Sequence, residues 1–385
     1  MTRILLAFLL LGIIPASVLS QETIVKEITP ITDSLYRYQY NMHVSVFLVR
    51  PEGILITDPT TVEAAEWLRD ELKSRFNKPV RYMVYSHSHS DHIGGASVFD
   101  VPGVKIVAHE LTKQALVDEP LPGARIPVPT MTFTEPMTLH FGGRTIRLFK
   151  VEPSTHARDL IAMYFVEDRT LFAVDVMSVK SVGFFDFSNE NFPAMIRAIR
   201  NLQRIDYDHL VDSHGPLGTK ADGDTYLAYL EDIESGVRRE LARGATLEET
   251  QRDTHLDRYQ HLALYAPWSP TNIEGAYVSL KGEPVKSATV TGSARTNTEP
   301  VPNVEPSVRI RALAVFCSAC HGPQGISADA HFPNLAGQKY EYLLRALRAY
   351  QRQERYDPYM SQLEFLSDQD LQEIARFYST LGATP

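Results

Sequence analysis

The chain has 385 residues, of which 44% are hydrophobic and 22% charged, a composition typical of a globular protein with a sizeable core. Its length favours two domains. A formal net charge of −9, with no basic stripe interleaved with aromatic residues, argues against a nucleic-acid partner.

The N-terminus has the pattern of an export signal. Arg3 precedes the apolar run "ILLAFLLLGII" (4–14), and "PASVLS" gives a small-residue cleavage site after Ser20. The run is shorter than the roughly 18 apolar residues expected of a spanning helix. We therefore predict a signal peptide over 1–20, periplasmic localisation and no stable membrane insertion after cleavage. An uncleaved membrane anchor is the alternative.

Residues 21–282 are predicted to form a layered α/β domain in which strands alternate with helical patterns. Apolar residues four apart in "TVEAAEWLRDELKSRF" give one face of a helix, and β-branched runs around Gly-containing turns predict strands and hairpins. The expected elements are strands over 44–50, 53–59 and 80–86, a helix over 61–76, hairpins over 138–151 and 160–176, and a mostly helical extension over 225–280.

The C-terminal part is organised differently. Residues 283–305 are rich in Pro, Ser, Thr and Asn and have no hydrophobic period, which predicts a linker. Residues 306–385 are predicted to form a small all-α domain. Ser367, three residues before Asp370, is expected to cap its last helix.

Four potential metal ligands lie within six positions of "VYSHSHSDHIGG". His87 and His89 are two residues apart, so in an extended loop both project to the same side and can bind one ion. Asp91 and His92 then turn toward a second position. Imidazole and carboxylate ligands suit zinc, and also manganese or ferrous iron. His43, in "YNMHVSV", is expected at most near the mouth of the pocket and is assigned no role.

The segments "SHSHSDHIGG", "PSTHARD", "LFAVDVM" and "LVDSHGP" occur in this order and together resemble the signature of the metallo-β-lactamase superfamily. The resemblance covers about residues 25–220 and implies an αββα sandwich. Two positions differ from the usual pattern, since Val174 and Ser213 stand where the superfamily has glycine.

The resemblance also implies the ligand set of two metal ions, zinc or else iron or manganese. His87, His89 and His156 would bind one ion, and Asp91, His92 and His214 the other, with Asp175 bridging the two. Two such ions activate a shared water for attack on a carbonyl. Asp91, a carboxylate beside that water, is the expected proton acceptor and later donor.

A second motif lies in "VFCSACHGPQG", where C-x-x-C-H is typical of covalent haem attachment. Cys317 and Cys320 would form the two thioether bonds, and His321 would be the proximal iron ligand. Residues of about 308–383 resemble class I cytochromes c of the c4/c5-like kind. That resemblance implies Met360 as the distal ligand, and the carbonyl of Pro333 as the group that holds the His321 imidazole.

Three functions remain open from the sequence. The first is an exported binuclear hydrolase of the ester, thioester or lactone class, tethered to an electron-transfer haem domain, with a small-molecule substrate and a periplasmic redox partner. The second is a non-haem iron enzyme that oxidises thiols or sulfur and passes electrons to the attached cytochrome. The third is a cytochrome with a merely structural metal domain; the complete ligand set argues against it.

Overall fold

The computed structural model describes residues 25–118, 125–154, 156–187, 191–282, 306–327, 332–355, 357 and 360–382. The predicted signal peptide (1–20) and linker (283–305) lie outside the described residues and stay predictions. Within the described ranges, no helix combines the length and the apolar character needed to cross a membrane.

The described chain contains strands and helices in alternation, followed by a purely helical C-terminal part. The strands are β1 Lys26–Pro30, β2 Leu35–Tyr40, β3 His43–Arg50, β4 Gly53–Thr57, β5 Val80–Val84, β6 Lys105–His109, β7 Met131–Phe133, β8 Met137–Phe141, β9 Arg144–Lys150, β10 Ile161–Phe165, β11 Thr170–Phe172, β12 His209–Val211 and β13 Gly218–Thr219. The helices are α1 Val62–Phe76, α2 Ser90–Ile93, α3 Glu110–Asp118, α4 Phe192–Leu202, α5 Lys220–Ala242, α6 Leu247–Asp253, α7 Tyr265–Lys281, α8 Val308–His321, α9 Tyr340–Gln351 and α10 Asp368–Thr380. Short segments of 3₁₀ helix cover Ala96–Phe99, Asp257–Tyr259 and Met360–Phe365.

The strands form two sheets that pack face to face. The first has the order β1-β2-β3-β4-β5-β6-β7, antiparallel up to β4 and parallel from β4 to β7. The second has the order β13-β12-β11-β10-β9-β8, with one parallel pair, β11 and β12. Together with the flanking helices, the two sheets make the predicted mixed α/β sandwich.

The alternation of side chains along β3 explains the layers. Val46 and Leu48 point into the core between the two sheets, whereas Phe47 points into a second core shared with α1. Because successive strand residues face opposite sides, a strand buried on both faces is apolar almost throughout. Leu68 and Leu72 on the inner face of α1 are buried against that second core, as the sequence predicted.

The predicted hairpins and the helix over 61–76 are confirmed. Strands β3 and β4 pair around the Pro-Glu-Gly turn, and β8 pairs with β9 across Gly142 and Gly143. The first helix begins after Thr61, whose side chain accepts the N–H of Ala64. Ser367 and Asp370 form the expected capping box of α10.

The helical C-terminal part packs on the sandwich through a defined aromatic contact. Phe184, in the loop after β11, contacts the rings of Trp268, Phe316 and Phe365 at centroid distances of 5.3–5.7 Å. The indole Nε1 of Trp268 in α7 donates to the carbonyl of Ala312 in α8, at 3.1 Å. This packing joins the loop after β11 to the helix that carries the Cys-x-x-Cys-His motif.

One arginine links the two parts electrostatically. Arg309 in α8 donates two hydrogen bonds to the carboxylate of Asp370, at 2.6 and 3.0 Å, and a third to Asp186. Both carboxylates are nearly buried, with side-chain exposures of 5% and 10%. Removal of the guanidinium would take the cationic partner from two nearly buried carboxylates, and such a loss is costly.

We expect Arg309→Gln to lower the free energy of unfolding by about 2 kcal/mol, the scale of hydrogen bonds to charged groups. Amide hydrogen exchange of α8 should become faster, because the docking of this helix loosens. Arg238→Gln, which removes an exposed ion pair with Glu234, is the control and should cost only about 0.5 kcal/mol. Equal effects of the two substitutions would contradict this role of Arg309.

Candidate metal centre and haem-binding segment

The loop after β5 places four candidate ligands at one edge of the sandwich. His87 and His89 lie in the loop itself, and His89 is the residue directly before α2. Asp91 and His92 lie in the single turn of α2, and all but His89 among these four are buried. The dense spacing of the motif therefore brings all four side chains to one place.

Two glycines allow this loop to lie close to the start of α1. A Cβ atom on Gly95 would be 2.2 Å from the carbonyl oxygen of Thr61, and one on Gly94 would be 2.5 Å from that of Ser90. The N–H of Gly95 donates to the carbonyl of Thr60 at 2.7 Å. No side chain fits at either position, so the glycines fix the path of the histidine loop.

The other three candidate ligands come from the second sheet. His156 lies between β9 and β10, Asp175 follows β11, and His214 follows β12. The N–H of Ile161 donates to the carbonyl of Ser86 at 2.9 Å, and this bond joins the edges of the two sheets. The sandwich thus brings together residues that are more than 120 positions apart in the sequence.

His87, His89, His156 and Asp175 form a first group. Their ligand atoms lie within 4.8 Å of one another. His156 Nε2 is 3.1 Å from His89 Nδ1 and 3.3 Å from Asp175 Oδ2. His87 Nε2 is 3.6 Å from the same carboxylate oxygen. The structure therefore places the predicted first trio beside the predicted bridging aspartate.

His92, His214 and Asp175 form a second group on the other side of that carboxylate. Asp175 Oδ2 is 2.9 Å from His92 Nε2, and its Oδ1 is 3.2 Å from His214 Nε2. Asp91 also borders this group, since its Oδ2 is 3.3 Å from His92 Nε2. Asp175 is common to both groups, which is the position required of a bridging ligand.

The donor atoms fit divalent cations. His87 Nε2 is buried and has no hydrogen-bond partner in the described part of the chain, and such an atom is costly unless a cation satisfies it. Two ligands of one tetrahedral ion at 2.0–2.1 Å stand roughly 3.3–3.4 Å apart. The separations of 3.2–3.3 Å between several of these nitrogen and oxygen atoms match that spacing.

The electrostatics of the groups also suit cations. Burial, together with neighbouring imidazoles, lowers the pKa of His87 well below its usual value and that of His89 to about 4, so both offer neutral nitrogen at pH 7. Burial acts against ionisation of Asp175, but His92 and the other histidines around it hold its pKa well below the usual range. For His92, burial would lower the pKa, and the carboxylates of Asp175 and Asp91 raise it instead. A cation bound between these carboxylates would displace the His92 proton.

Neighbouring polar groups orient the candidate ligands. Asp58 Oδ1 accepts the N–H of Ser86 at 2.7 Å, and its Oδ2 is 3.3 Å from His92 Nδ1. The hydroxyl of Ser213 donates to Asp175. Carboxylate contacts of this kind fix the orientation of a metal-binding imidazole and raise its basicity.

His43 was misjudged from the sequence. It is 2% exposed rather than located at the pocket mouth, and its Nε2 is 3.3 Å from Asp91 Oδ2. His43, Asp91 and His214 form a third possible ligand group within 4.8 Å. A lone histidine 44 positions before the motif carries no spacing signal, so only the pairing of β2 with β3 reveals its place.

The last turn of α8 carries the second motif. Cys317, Cys320 and His321 lie three and four positions apart, so they share one side of the helix. His321 Nδ1 is 2.8 Å from the carbonyl oxygen of Pro333, as the resemblance implied. If Nδ1 donates this bond, Nε2 keeps its lone pair for iron. Burial raises the pKa of the Cys317 thiol to about 12.

Met360 begins the 3₁₀ turn that precedes α10. Its backbone N–H donates to Asp357 Oδ1 at 2.9 Å, and its half-buried side chain packs on the core of the helical part. Leu371, Ile374 and Tyr378 lie on the buried face of α10. A covalently bound haem with two axial ligands uses two cysteines, a histidine of fixed orientation and a methionine, and this segment contains all four residues.

Comparison with known proteins identifies the class of the sandwich. Residues 40–227 match the model of the metallo-beta-lactamase superfamily. The chain is 27% identical over 172 residues to the metallo-beta-lactamase type 2 of Elizabethkingia meningoseptica, which covers 42% of this chain and 67% of that protein. A metallo-beta-lactamase from Pontibacter korlensis aligns with a TM-score of 0.47 and 22% identity, over 54% of this chain and 99% of the other.

The chain is also similar to cytochromes c. It is 40% identical over 70 residues to cytochrome c4 of Thiocapsa roseopersicina, which covers 18% of this chain and 36% of that cytochrome. The chain thus spans about a third of the length of this relative. The protein contains a domain of the metallo-β-lactamase superfamily, and the cytochrome similarity is consistent with a fused C-terminal cytochrome c.

We expect Asp175→Ala to lower the number of metal ions bound per chain, because both groups lose their shared carboxylate. The haem absorption spectrum should stay native, since the substitution lies outside the helical part. Asp253→Ala, which removes a partly exposed carboxylate of α6, is the control and should keep the metal content of the unsubstituted protein. Elemental analysis checks the result, and an unchanged metal count in Asp175→Ala would contradict the bridging role.

Proposed function

We propose that the protein is an exported, binuclear metal-dependent hydrolase of the ester, thioester or lactone class, tethered to a c-type haem domain that transfers electrons. The observation that supports it most is the position of Asp175 between two groups of histidines. The chain has no cysteine at this position, as its two cysteines are Cys317 and Cys320. The bridge is therefore a carboxylate, which binds two hard or borderline cations at once.

The metal-binding residues would be divided between two ions. His87, His89 and His156 would hold the first ion, Asp91, His92 and His214 the second, and Asp175 both. Zinc fits this nitrogen-rich set, and iron or manganese are the alternatives. When bound, such a pair of ions lowers the pKa of a shared water and polarises the carbonyl of a substrate.

Asp91 is the residue that we assign to proton transfer. Burial opposes its ionisation, but His92 and His43 keep its pKa well below the usual range, so it is a carboxylate at neutral pH. Its Oδ2 faces both histidines at 3.3 Å, whereas Oδ1 has no hydrogen-bond partner in the described part of the chain. Oδ1 is thus available to take a proton from water and to return it to the leaving group.

The haem would be held by thioether bonds to Cys317 and Cys320, with His321 and Met360 as its axial ligands. Histidine and methionine together raise the redox potential and leave no open position on the iron, so the domain would transfer electrons rather than catalyse. The proposed partners are a small-molecule substrate and a periplasmic redox protein. Export by the N-terminal signal would bring the chain to a compartment in which haem attachment takes place.

A second candidate function is a thiol- or sulfur-oxidising enzyme with non-haem iron in the metal centre. The contact of Phe184 with Phe316, at a centroid distance of 5.4 Å, favours it. Phe184 follows Asp175 by nine residues, and Phe316 directly precedes Cys317. This packing brings the loop that follows Asp175 into contact with the helix that would carry the haem.

We expect Asp91→Asn to lower the hydrolysis rate of thioester or lactone substrates about 10²–10⁴-fold, the usual contribution of a proton-transferring group. Asparagine has nearly the same size but accepts no proton. The measurement is kcat at saturating substrate, together with the metal content of each variant, and Asp253→Asn is the control. Full activity of Asp91→Asn with both metals bound would contradict this assignment.

A further inference from the structure

We infer that His43 is an additional ligand of the second metal ion, the one assigned to Asp91, His92 and His214. This inference rests on the proposed binuclear centre and adds a residue that lies outside its seven-ligand pattern. It is carried by the place of His43 in the fold, by its distances to the other donors and by its burial.

The β2–β3 turn is fixed against the loop that carries His214. Asn41, at a φ of 53°, reverses the chain, and the carbonyl of Met42 is 3.2 Å from His214 Nδ1. The N–H of Val44 donates to the carbonyl of Ser213 at 2.7 Å. Because the backbone on both sides of His43 contacts the His214 loop, the two imidazoles are held side by side, with ring centroids 5.0 Å apart.

The distance from His43 to Asp91 indicates shared coordination. His43 Nε2 is 3.3 Å from Asp91 Oδ2, longer than the roughly 2.9–3.0 Å most common for an N–H···O hydrogen bond. It equals the 3.3 Å from His92 Nε2 to the same oxygen. It also lies in the range of separations between two ligands of one zinc ion, since bonds of roughly 2.0–2.1 Å place neighbouring ligands about 3.0–3.5 Å apart. His43 and His92 thus approach Asp91 in the same way.

The surroundings of His43 suit a ligand better than a solvated side chain. The residue is 2% exposed, and its ligand atom lies within 4.8 Å of those of Asp91 and His214. A cation bound by a buried imidazole and a buried carboxylate together offsets the cost of burying both groups. A cation held by His43, Asp91 and His214 satisfies all three groups at once.

This assignment has two consequences for the centre. The second position gains a third imidazole beside His92 and His214, so it favours zinc or iron over manganese. Asp91 is held through Oδ2, so its Oδ1 stays available for the proton transfer proposed above. Because of the additional imidazole at the second position, we expect both metal ions to stay bound during dialysis. We do not expect the second ion to dissociate before the first.

The test uses the full-length haem protein with ¹¹³Cd in the metal centre and the haem kept ferrous. Proton–cadmium correlation spectra report directly which imidazoles are coordinated. We expect the ring protons of His43 to couple to the same cadmium as those of His214. Absence of that coupling, in a protein with two cadmium resonances, would overturn the inference.

The matched variants are His43→Gln and His109→Gln. Glutamine still donates a hydrogen bond to Asp91 but is a poor metal ligand, so it separates coordination from positioning. In His43→Gln, one zinc ion should bind at least about tenfold more weakly while the other is unaffected. His109, equally buried in β6 but outside the centre, is the control, and its variant should bind both ions normally.

The outcomes also separate this inference from the proposed function. Two ions of unchanged affinity in His43→Gln would overturn the role of His43 and leave the binuclear centre intact. A single cadmium resonance in the unsubstituted protein would instead contradict the binuclear centre itself.

Discussion

The candidate metal centre depends on one nearly buried carboxylate, that of Asp175, which lies between two sets of imidazoles. Asp175 is within 2.9–3.6 Å of nitrogen atoms of four histidines, His87, His92, His156 and His214. Burial and the neighbouring imidazoles lower the pKa of His87, so at neutral pH its buried Nε2 carries no proton and has no hydrogen-bond partner in the described part of the chain. Divalent cations resolve this conflict, and their preferred ligand spacing agrees with the observed distances.

The candidate ligands around Asp175 lie at one edge of the sandwich. Strand ends of both sheets supply the ligands, and Gly95 lets the histidine loop lie against α1 where no other residue fits. The helical C-terminal part packs against the loop that follows Asp175. Arg309 and the aromatic rings around Phe184 make this contact. A haem in the C-terminal part would then lie in a defined place relative to the metal centre.

The sequence predicted local features well and distant contacts poorly. Hairpins, the helix after Thr61 and the four ligands of 87–92 follow from spacing within a few residues, and spacing is visible in one sequence. The joining of His156 and His214 to that motif could be predicted only through a resemblance to a known superfamily. His43 and the ion pairs of Arg309 could not be predicted, because their partners lie 48 and more positions away and depend on how sheets and helices pack.

Counting the metals of the periplasmically expressed protein tests the central claim most directly. Zinc and iron would be measured per chain by elemental analysis, and haem by the pyridine haemochrome. The account predicts two zinc ions for each haem iron. One non-haem iron in place of the zinc pair would contradict the hydrolase and favour oxidation of thiols with electron transfer to the haem.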